Sequence, residues 1–538
     1  MSQHKKFYRV FSILIFLFSV GTLCYYFMSG YFIEETNSDN VEMTLWGQSF
    51  WDSGDLCNPE FSFGHILPFG GQLVFIPLVK LFGVGRLTQR LGMSIVFAVF
   101  TVELVFLFIT FGWNRESALL STGTILGLIN ATRESRQVFW QHVIPYSLSV
   151  FYLIPTLIFL VLLLRAIHQH ERGKSFIWGS LIFISLALGC GNGRILLLLF
   201  AIPVFGALFI DYLLSFSREK EKTPLKVLIL VLFAILAGLA LQKWVTHNYY
   251  SEYLESRSEI AEYNLWHTNL TTLFPGWIRL FATLGFHTTN MLSKEGILLA
   301  FGIFMGILTA VGGFAAIFII PKTGNPAERL FLEFHAVLSF LMLFVSVFGT
   351  ITVWDEIARR ISTVFFSCIV ASFIYLKSIL ADRTAKPFAI LLSVLFLAAG
   401  LTNNAEVLLH PIDTSQWTGE GTLLQVLSNH NLTYGYTTNF WYGSAITVLS
   451  DEQVKSRTVN IRNGELVPYS YNHNKHWFED QPGQDKYFLA IPENELDENP
   501  QFNKGVIETY RATQKGDEIY SDVGYYILVY DHNILNGF

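Results

Sequence analysis

Long apolar runs broken by short charged ones fill the first 404 residues, and a different pattern follows them. A helix that crosses a bilayer needs roughly 20 apolar residues. Eleven stretches predict one, near 8–29, 90–112, 116–131, 143–166, 175–191, 194–216, 225–245, 295–320, 328–352, 360–380 and 386–404, of which the third and fifth are short. Lys5, Lys6 and Arg9 precede the first run, as they would in a signal peptide. That run is too long for a signal core and lacks a small-x-small cleavage site, so it predicts a retained anchor.

Lys and Arg gather in short cytoplasmic loops and so orient the helices. The basic groups at Lys5–Arg9, His168–Lys174, Ser217–Lys222, Lys322 with Arg329, and Arg383 with Lys386 share one side if eleven helices alternate from a cytoplasmic N-terminus. This places loops 30–89 and 246–294 and the whole tail outside a plasma membrane. In the first of these loops Val41, Leu45 and Trp46 recur at helical spacing. His65–Gly83 is apolar but broken by Pro68, Gly70, Gly71 and Pro77, which predicts a helix lying in the interface rather than across it. If it spanned, every later loop would change sides and the basic loops would face out.

Beyond 405 the segments Ser444–Leu449, Lys486–Ile491 and Gly524–Tyr530 predict strands between Asn, Asp, Gly and Pro turns. Val407 and Leu408, then Leu423, Leu424 and Leu427, predict a helix or two before them. The expected fold class is a polytopic α-helical membrane protein with a C-terminal extracytoplasmic α+β domain. Residues 1–404 form the membrane part and 405–538 the outer domain, with no internal repeat.

Composition agrees. The chain is 52% hydrophobic and 14% charged, where a soluble domain carries about 25% charged residues. The net charge of −6 matters less than where the charges sit. No Walker loop, dinucleotide fingerprint, zinc cluster or basic nucleic-acid patch occurs, so neither a nucleic-acid partner nor soluble nucleotide-sugar chemistry is supported. Four scattered cysteines contain no CxxC, and Cys57 with Cys190 is the one pair suited to a bridge at the outer face.

The candidate chemistry begins at Asp39 and Glu42, which open the polar and aromatic segment Ser38–Gly54. Three residues apart on a helix, they face the same way. A competing reading makes them a helix start, with Ser38 or Asp39 as N-cap and Glu42 completing a capping box. The two readings are compatible, because a capping position also fixes a carboxylate.

A long outer loop that opens on an acidic pair resembles the C-type glycosyltransferases (the GT-C fold), membrane enzymes that take sugars from polyprenyl-phosphate carriers. Ser38-Asp39-Asn40-Val41-Glu42 looks like their loop-one acidic motif, and the stretch Pro77–Gly83 resembles the interfacial helix before their second span. The tail, with Leu432–Tyr436, Phe440-Trp441 and Ile446–Ser450, resembles that of uncharacterised bacterial multi-pass proteins grouped with this superfamily. The resemblance implies a polyprenyl-phosphate or -diphosphate sugar donor in the membrane lipid and a surface glycan or polymer as acceptor. It implies Asp39 as general base, with Glu42 assisting or holding a cation. A divalent cation (Mg or Mn) between Asp39 and a phosphate occurs in some members, and nothing in this sequence demands it.

A departing phosphate calls for Arg, which grips it through two parallel hydrogen bonds. Arg194 follows Gly191 and Gly193, which let backbone amides converge on an anion; a plain turn explains it as well. Arg359 and Arg360 are candidates too, or else close a helix end as i,i+4 partners of Asp355 and Glu356. Arg133 and Arg136 lie on the same side. His142, near the outer end of the fourth helix, is a candidate to orient a phosphate or a carboxylate, or else an interfacial histidine. Glu103, central in the second span, is expected to face the bundle interior. Trp417, Trp441 and Trp477 suit stacking on sugar rings or a plain aromatic core. Loop 246–294 has no metal-ligand spacing, and sequons occur at Asn130, Asn269 and Asn431. Two rivals remain. A transporter or flippase of lipid-linked sugars would commonly show internal repeats, and a non-catalytic scaffold would survive loss of the two acids.

Overall fold

The computed structural model describes residues 3–29, 36–62, 70–129, 149–192, 196–214, 225–249, 266–267, 269–271, 273, 293–349, 362–409, 415–419, 421–462, 465–469, 472–498, 517–521 and 524–535. In chain order the helices are α1 (Gln3–Met28), α2 (Ser38–Ser53), α3 (Gln72–Phe82), α4 (Arg86–Thr110), α5 (Arg115–Ile129), α6 (Ile154–His168), α7 (Arg172–Gly191), α8 (Ile202–Leu214), α9 (Leu225–Tyr249), α10 (Lys294–Ile317), α11 (Pro326–Phe348), α12 (Ser362–Ala381) and α13 (Lys386–Leu409). The tail adds α14 (Leu423–Asn429), α15 (Phe440–Leu449) and α16 (Glu493–Glu498).

Among the described residues nine helices are long and apolar enough to cross a membrane, and each falls on one of the eleven expected spans. The other two expected spans contain shorter helices: α5 has 15 residues, and the sixth span holds the apolar helix Leu197–Leu213. The broken stretch before the second span gives α3, whose 11 residues include Pro77. At about 1.5 Å per residue it reaches roughly 16 Å, half of a hydrocarbon core. Contacts group the chain into two compact units, one of residues 1–25, 96–245 and 256–410, the other of 26–95, 246–255 and 411–538.

The first unit is a helical bundle in which α10 packs along α12, α6 along α7, α8 along α11 and α5 along α13. Small residues allow the closest approach: a methyl group on Gly127 would fall 2.7 Å from Gly400 Cα. Buried polar groups find partners across helices, as an apolar interior requires. Asn404 donates to Ser19 Oγ at 2.9 Å, and Arg329 pairs with Asp211 at 3.2 Å. Glu328 receives Trp113 Nε1 at 2.6 Å and Lys377 Nζ at 2.5 Å. Glu103 Oε2 is buried and has no hydrogen-bond partner among the described residues. Asn269 donates its amide to the carbonyls of Val347 and Gly349 at 2.9 and 2.8 Å, and this buried role takes it out of use as a sequon.

The second unit is built on a six-stranded sheet of order β4-β3-β2-β6-β8-β7, with a separate two-stranded ribbon. Its strands are β1 (Phe61–Ser62), β2 (Tyr434–Thr437), β3 (Lys455–Arg462), β4 (Glu465–Pro468), β5 (His473–Asn474), β6 (Tyr487–Pro492), β7 (Asp517–Ser521) and β8 (Tyr525–Tyr530). β2 runs parallel to both β3 and β6, while the outer pairings are antiparallel. The expected strands at Lys486–Ile491 and Gly524–Tyr530 are β6 and β8, and Leu423–Asn429 is helical as expected.

Ser444–Leu449 corrects the sequence reading, for it forms the body of α15 and no strand. Asn439 caps this helix by accepting the Trp441 N–H at 3.0 Å. Ala445, Ile446 and Leu449 enter an apolar cluster with Phe488, Ala490 and Ile527. Its β-branched residues imitate a strand, but a parallel β2–β3 pair needs a crossover, and this helix supplies it. Phe61 pairs with Asn474 and Ser62 with His473, which sews the first loop to the tail. One apolar cluster then joins Val41, Leu45 and Trp46 of α2 to Tyr434, Tyr436, Trp477, Leu489 and Tyr530. All four cysteines are free, so the Cys57–Cys190 bridge does not form.

Candidate active site

The helix that carries the two acids starts at Asn37, whose side chain accepts the Asn40 N–H at 3.0 Å. Neither Ser38 nor Asp39 is the cap, and Glu42 is no capping-box partner. Asn37, Ser38 and Asp39 are all good N-cap residues, so the sequence left the start of the helix ambiguous by two positions. With the cap assigned to Asn37, Asp39 lies in the first turn, where a carboxylate complements the helix dipole.

Two sides of α2 are tethered. Ser38 Oγ donates to Phe440 O at 2.5 Å, lies 3.3 Å from Trp441 O and accepts the Ser444 N–H at 3.1 Å. These bonds lock the first turn of α2 to α15, and Val41 and Leu45 continue that side into the apolar cluster. On a second side, Gln89 of α4 donates to Asn40 O at 2.5 Å and accepts from the Thr44 hydroxyl. Gly47 lets α3 close in, since a methyl group there would fall 2.8 Å from Val79 Cγ2 and 3.3 Å from the backbone of Phe75.

At about 100° per residue, Asp39 and Glu42 project from a third sector of the wheel, roughly 60° apart. Both are buried, at 5% and 0% exposure. The chain has thus fixed the rotation of α2 about its own axis, and with it the direction of both carboxylates.

The far end of α2 meets the loop after α15. Gln48 donates to Glu452 Oε1 at 3.1 Å. Partial desolvation holds the surface Asp52 carboxyl above its usual range, helped by Glu452 and opposed by Arg457 and Lys455. Asp451 receives the Arg86 backbone N–H at 2.8 Å and its guanidinium at 2.8 and 3.1 Å, which anchors the start of α4 to the same loop. Sequence reasoning missed Gln89, Arg86 and Asp451 and read Ser38 only as a helix start, because polar residues at ordinary spacing give no sign of distant partners.

The three tryptophans separate by environment. Trp477 is buried beneath the Arg457 guanidinium, which stacks 3.5 Å from its ring centroid. Trp417 is buried edge-on to Tyr442 at 4.6 Å. Only Trp441 of the three is open, at 43% exposure. Arg194, Arg359, Arg360 and His142, together with Arg133 and Arg136, lie outside the described residues. Among the described residues no three His, Cys, Asp or Glu side chains converge as a metal site.

No family model matches the chain, and no curated protein matches it. Solved structures do. The chain is similar to ArnT from Cupriavidus metallidurans in the apo state, at 12% identity and TM-score 0.39 over 93% of this chain and 94% of that one. It is also similar to ArnT from the same organism bound to undecaprenyl phosphate, at 11% identity and TM-score 0.39 over 97% of each chain. At these values the likeness leaves activity to be argued from the chain's own residues.

Proposed function

We propose that the protein is a membrane glycosyltransferase. It takes a sugar from a polyprenyl-phosphate-linked donor and passes it to a glycan or polymer acceptor on the extracytoplasmic side of the plasma membrane. The observation that carries this reading is the buried Asp39–Glu42 pair on a helix whose orientation is fixed from two other sides. A fixed carboxylate withdrawn from water is what a general base for a sugar hydroxyl requires.

In this reading an Asp39 oxygen accepts the proton of the acceptor hydroxyl as the hydroxyl oxygen bonds to the sugar's anomeric carbon. The bond from that carbon to the donor phosphate breaks, and the phosphate leaves with the electron pair. Arg194, Arg359, Arg360 and His142 are the groups the sequence offers to hold it. Glu42 supports the base electrostatically or, with Asp39, holds a divalent cation. Two carboxylates fit Mg or Mn, which are commonly held by one or two carboxylates together with substrate phosphate; such an ion supplies charge stabilisation to the leaving group. Asp39→Asn in proteoliposomes that contain labelled lipid-linked sugar is the test, and transfer at the wild-type rate removes Asp39 as base.

A further inference from the structure

Strand order in the second unit reverses at β2. From β2 the chain moves through α15 to β3 and β4 on one side, then returns to β6 on the other. In open sheets with parallel strands, ligands bind in the crevice outside the carboxyl ends of the strands at such a reversal. By that rule the place for such a crevice is between the ends of β2 and β6, with residues 437–439 and 492–495 as its lips. Thr438 Oγ1 donates to Glu495 Oε2 at 2.9 Å across it, and Asn439 Nδ2 donates to Tyr525 OH at 3.1 Å.

Two independent features converge on the same end of α15. Trp441 lies in its first turn with an open indole. Ser38 is bonded to the carbonyl of Phe440 and lies beside that of Trp441. Asp39 begins one peptide unit further on, about 3.8 Å between Cα atoms.

The lips carry Thr438, Asn439, Glu493 and Glu495 and no Lys or Arg. Hydroxyl, amide and carboxylate groups suit sugar hydroxyls, and the lack of a cation disfavours a phosphate. Removal from water raises the Glu495 carboxyl above its usual range, against the Thr438 hydrogen bond. An exposed indole offers a flat apolar face to the C–H side of a sugar ring. We infer that the β2–β6 crevice and Trp441 form a subsite for the carbohydrate acceptor, with Trp441 as stacking platform and Thr438, Asn439 and Glu495 as hydroxyl partners. The crevice rests on topology; its assignment to the acceptor rests on the transferase reading.

The test is saturation-transfer NMR on the full-length protein in detergent, with neutral tetrasaccharides of glucose, galactose, rhamnose and N-acetylglucosamine as probes. At least one is expected to bind wild type. Trp441→Ala and Glu495→Gln are each expected to weaken it about tenfold, and Trp441→Phe to keep most of the affinity. Asp39→Asn is expected to bind as wild type does while transfer is lost. If no probe binds wild type, or if Trp441→Ala and Glu495→Gln bind unchanged, the subsite is overturned. Unchanged binding with unchanged turnover in Asp39→Asn removes the base and leaves the subsite standing.

Discussion

The Asn37 side chain accepts the Asn40 N–H at 3.0 Å, which closes the first turn of α2 without using Asp39. Capping and chemistry therefore fall on different residues. Loss of an N-cap costs about 1 kcal/mol, so Asn37→Ala is expected to lower the melting temperature by a few degrees. Asn37→Asp, which keeps the acceptor, is expected to restore it. Equal melting of Asn37→Ala and wild type would contradict the assigned cap.

Ser38 acts as both donor to α15 and acceptor from it. Ser38→Ala removes the bonds Ser38 makes to Phe440 O and from the Ser444 N–H, a loss of about 1–3 kcal/mol. The expected outcome is a lower melting temperature together with reduced transfer, since α2 loses the tether that aims Asp39. Full activity in a destabilised Ser38→Ala would separate the tether from the chemistry.

Arg457 and Trp477 stack at 3.5 Å, yet the Arg457 Nε and Nη1 are buried without hydrogen-bond partners among the described residues. Truncating the aromatic opens a cavity in the core, which costs about 3–5 kcal/mol. Replacing a buried charge that is poorly bonded by an apolar group of similar volume is often neutral or stabilising. Trp477→Ala is therefore expected to destabilise strongly, and Arg457→Met to melt near or above wild type. Thermal melts of the two variants check the contrast.

His473 provides a pH dependence. Burial, with help from Lys475 and against a backbone hydrogen bond at Tyr469, lowers it from 6.5 to about 4. The unfolded chain thus takes up a proton near pH 6.5 that the folded chain refuses until about pH 4. The stability tied to neutral His473 is full above pH 6.5 and is lost as the pH falls toward 4, on the order of 2–3 kcal/mol. The melting temperature of wild type is expected to drop across that window, and His473→Gln to flatten the drop. Parallel curves for the two proteins would rule His473 out.

What the sequence made legible follows the range of the forces involved. Apolar length is a local property, so nine of the expected spans lie on helices long enough to cross, and the proline-broken stretch at Pro77 proved too short to do so. Val41, Leu45 and Trp46 announced α2 by spacing alone, and all three are buried in one cluster. Ser444–Leu449 misled because Ile446, Thr447 and Val448 favour strands locally, while the parallel β2–β3 pairing that demands a crossover is set by residues outside that window. The acids were visible as residue types. Their fixed direction was not, since it depends on Gln89, Phe440 and Ser444, which sequence distance hides. Trp441, Trp417 and Trp477 looked alike as candidates, and only burial tells them apart.

Transfer of labelled sugar from membrane lipids in proteoliposomes, wild type against Asp39→Asn, tests the central claim most directly. Exchanging one first-turn carboxylate for an amide costs the helix about 0.3–1 kcal/mol, so Asp39→Asn should fold and melt within a few degrees of wild type. The account predicts a glycoside product with wild type and none with Asp39→Asn. Loss of labelled lipid from the outer leaflet with no glycoside in either protein would contradict it and favour transport.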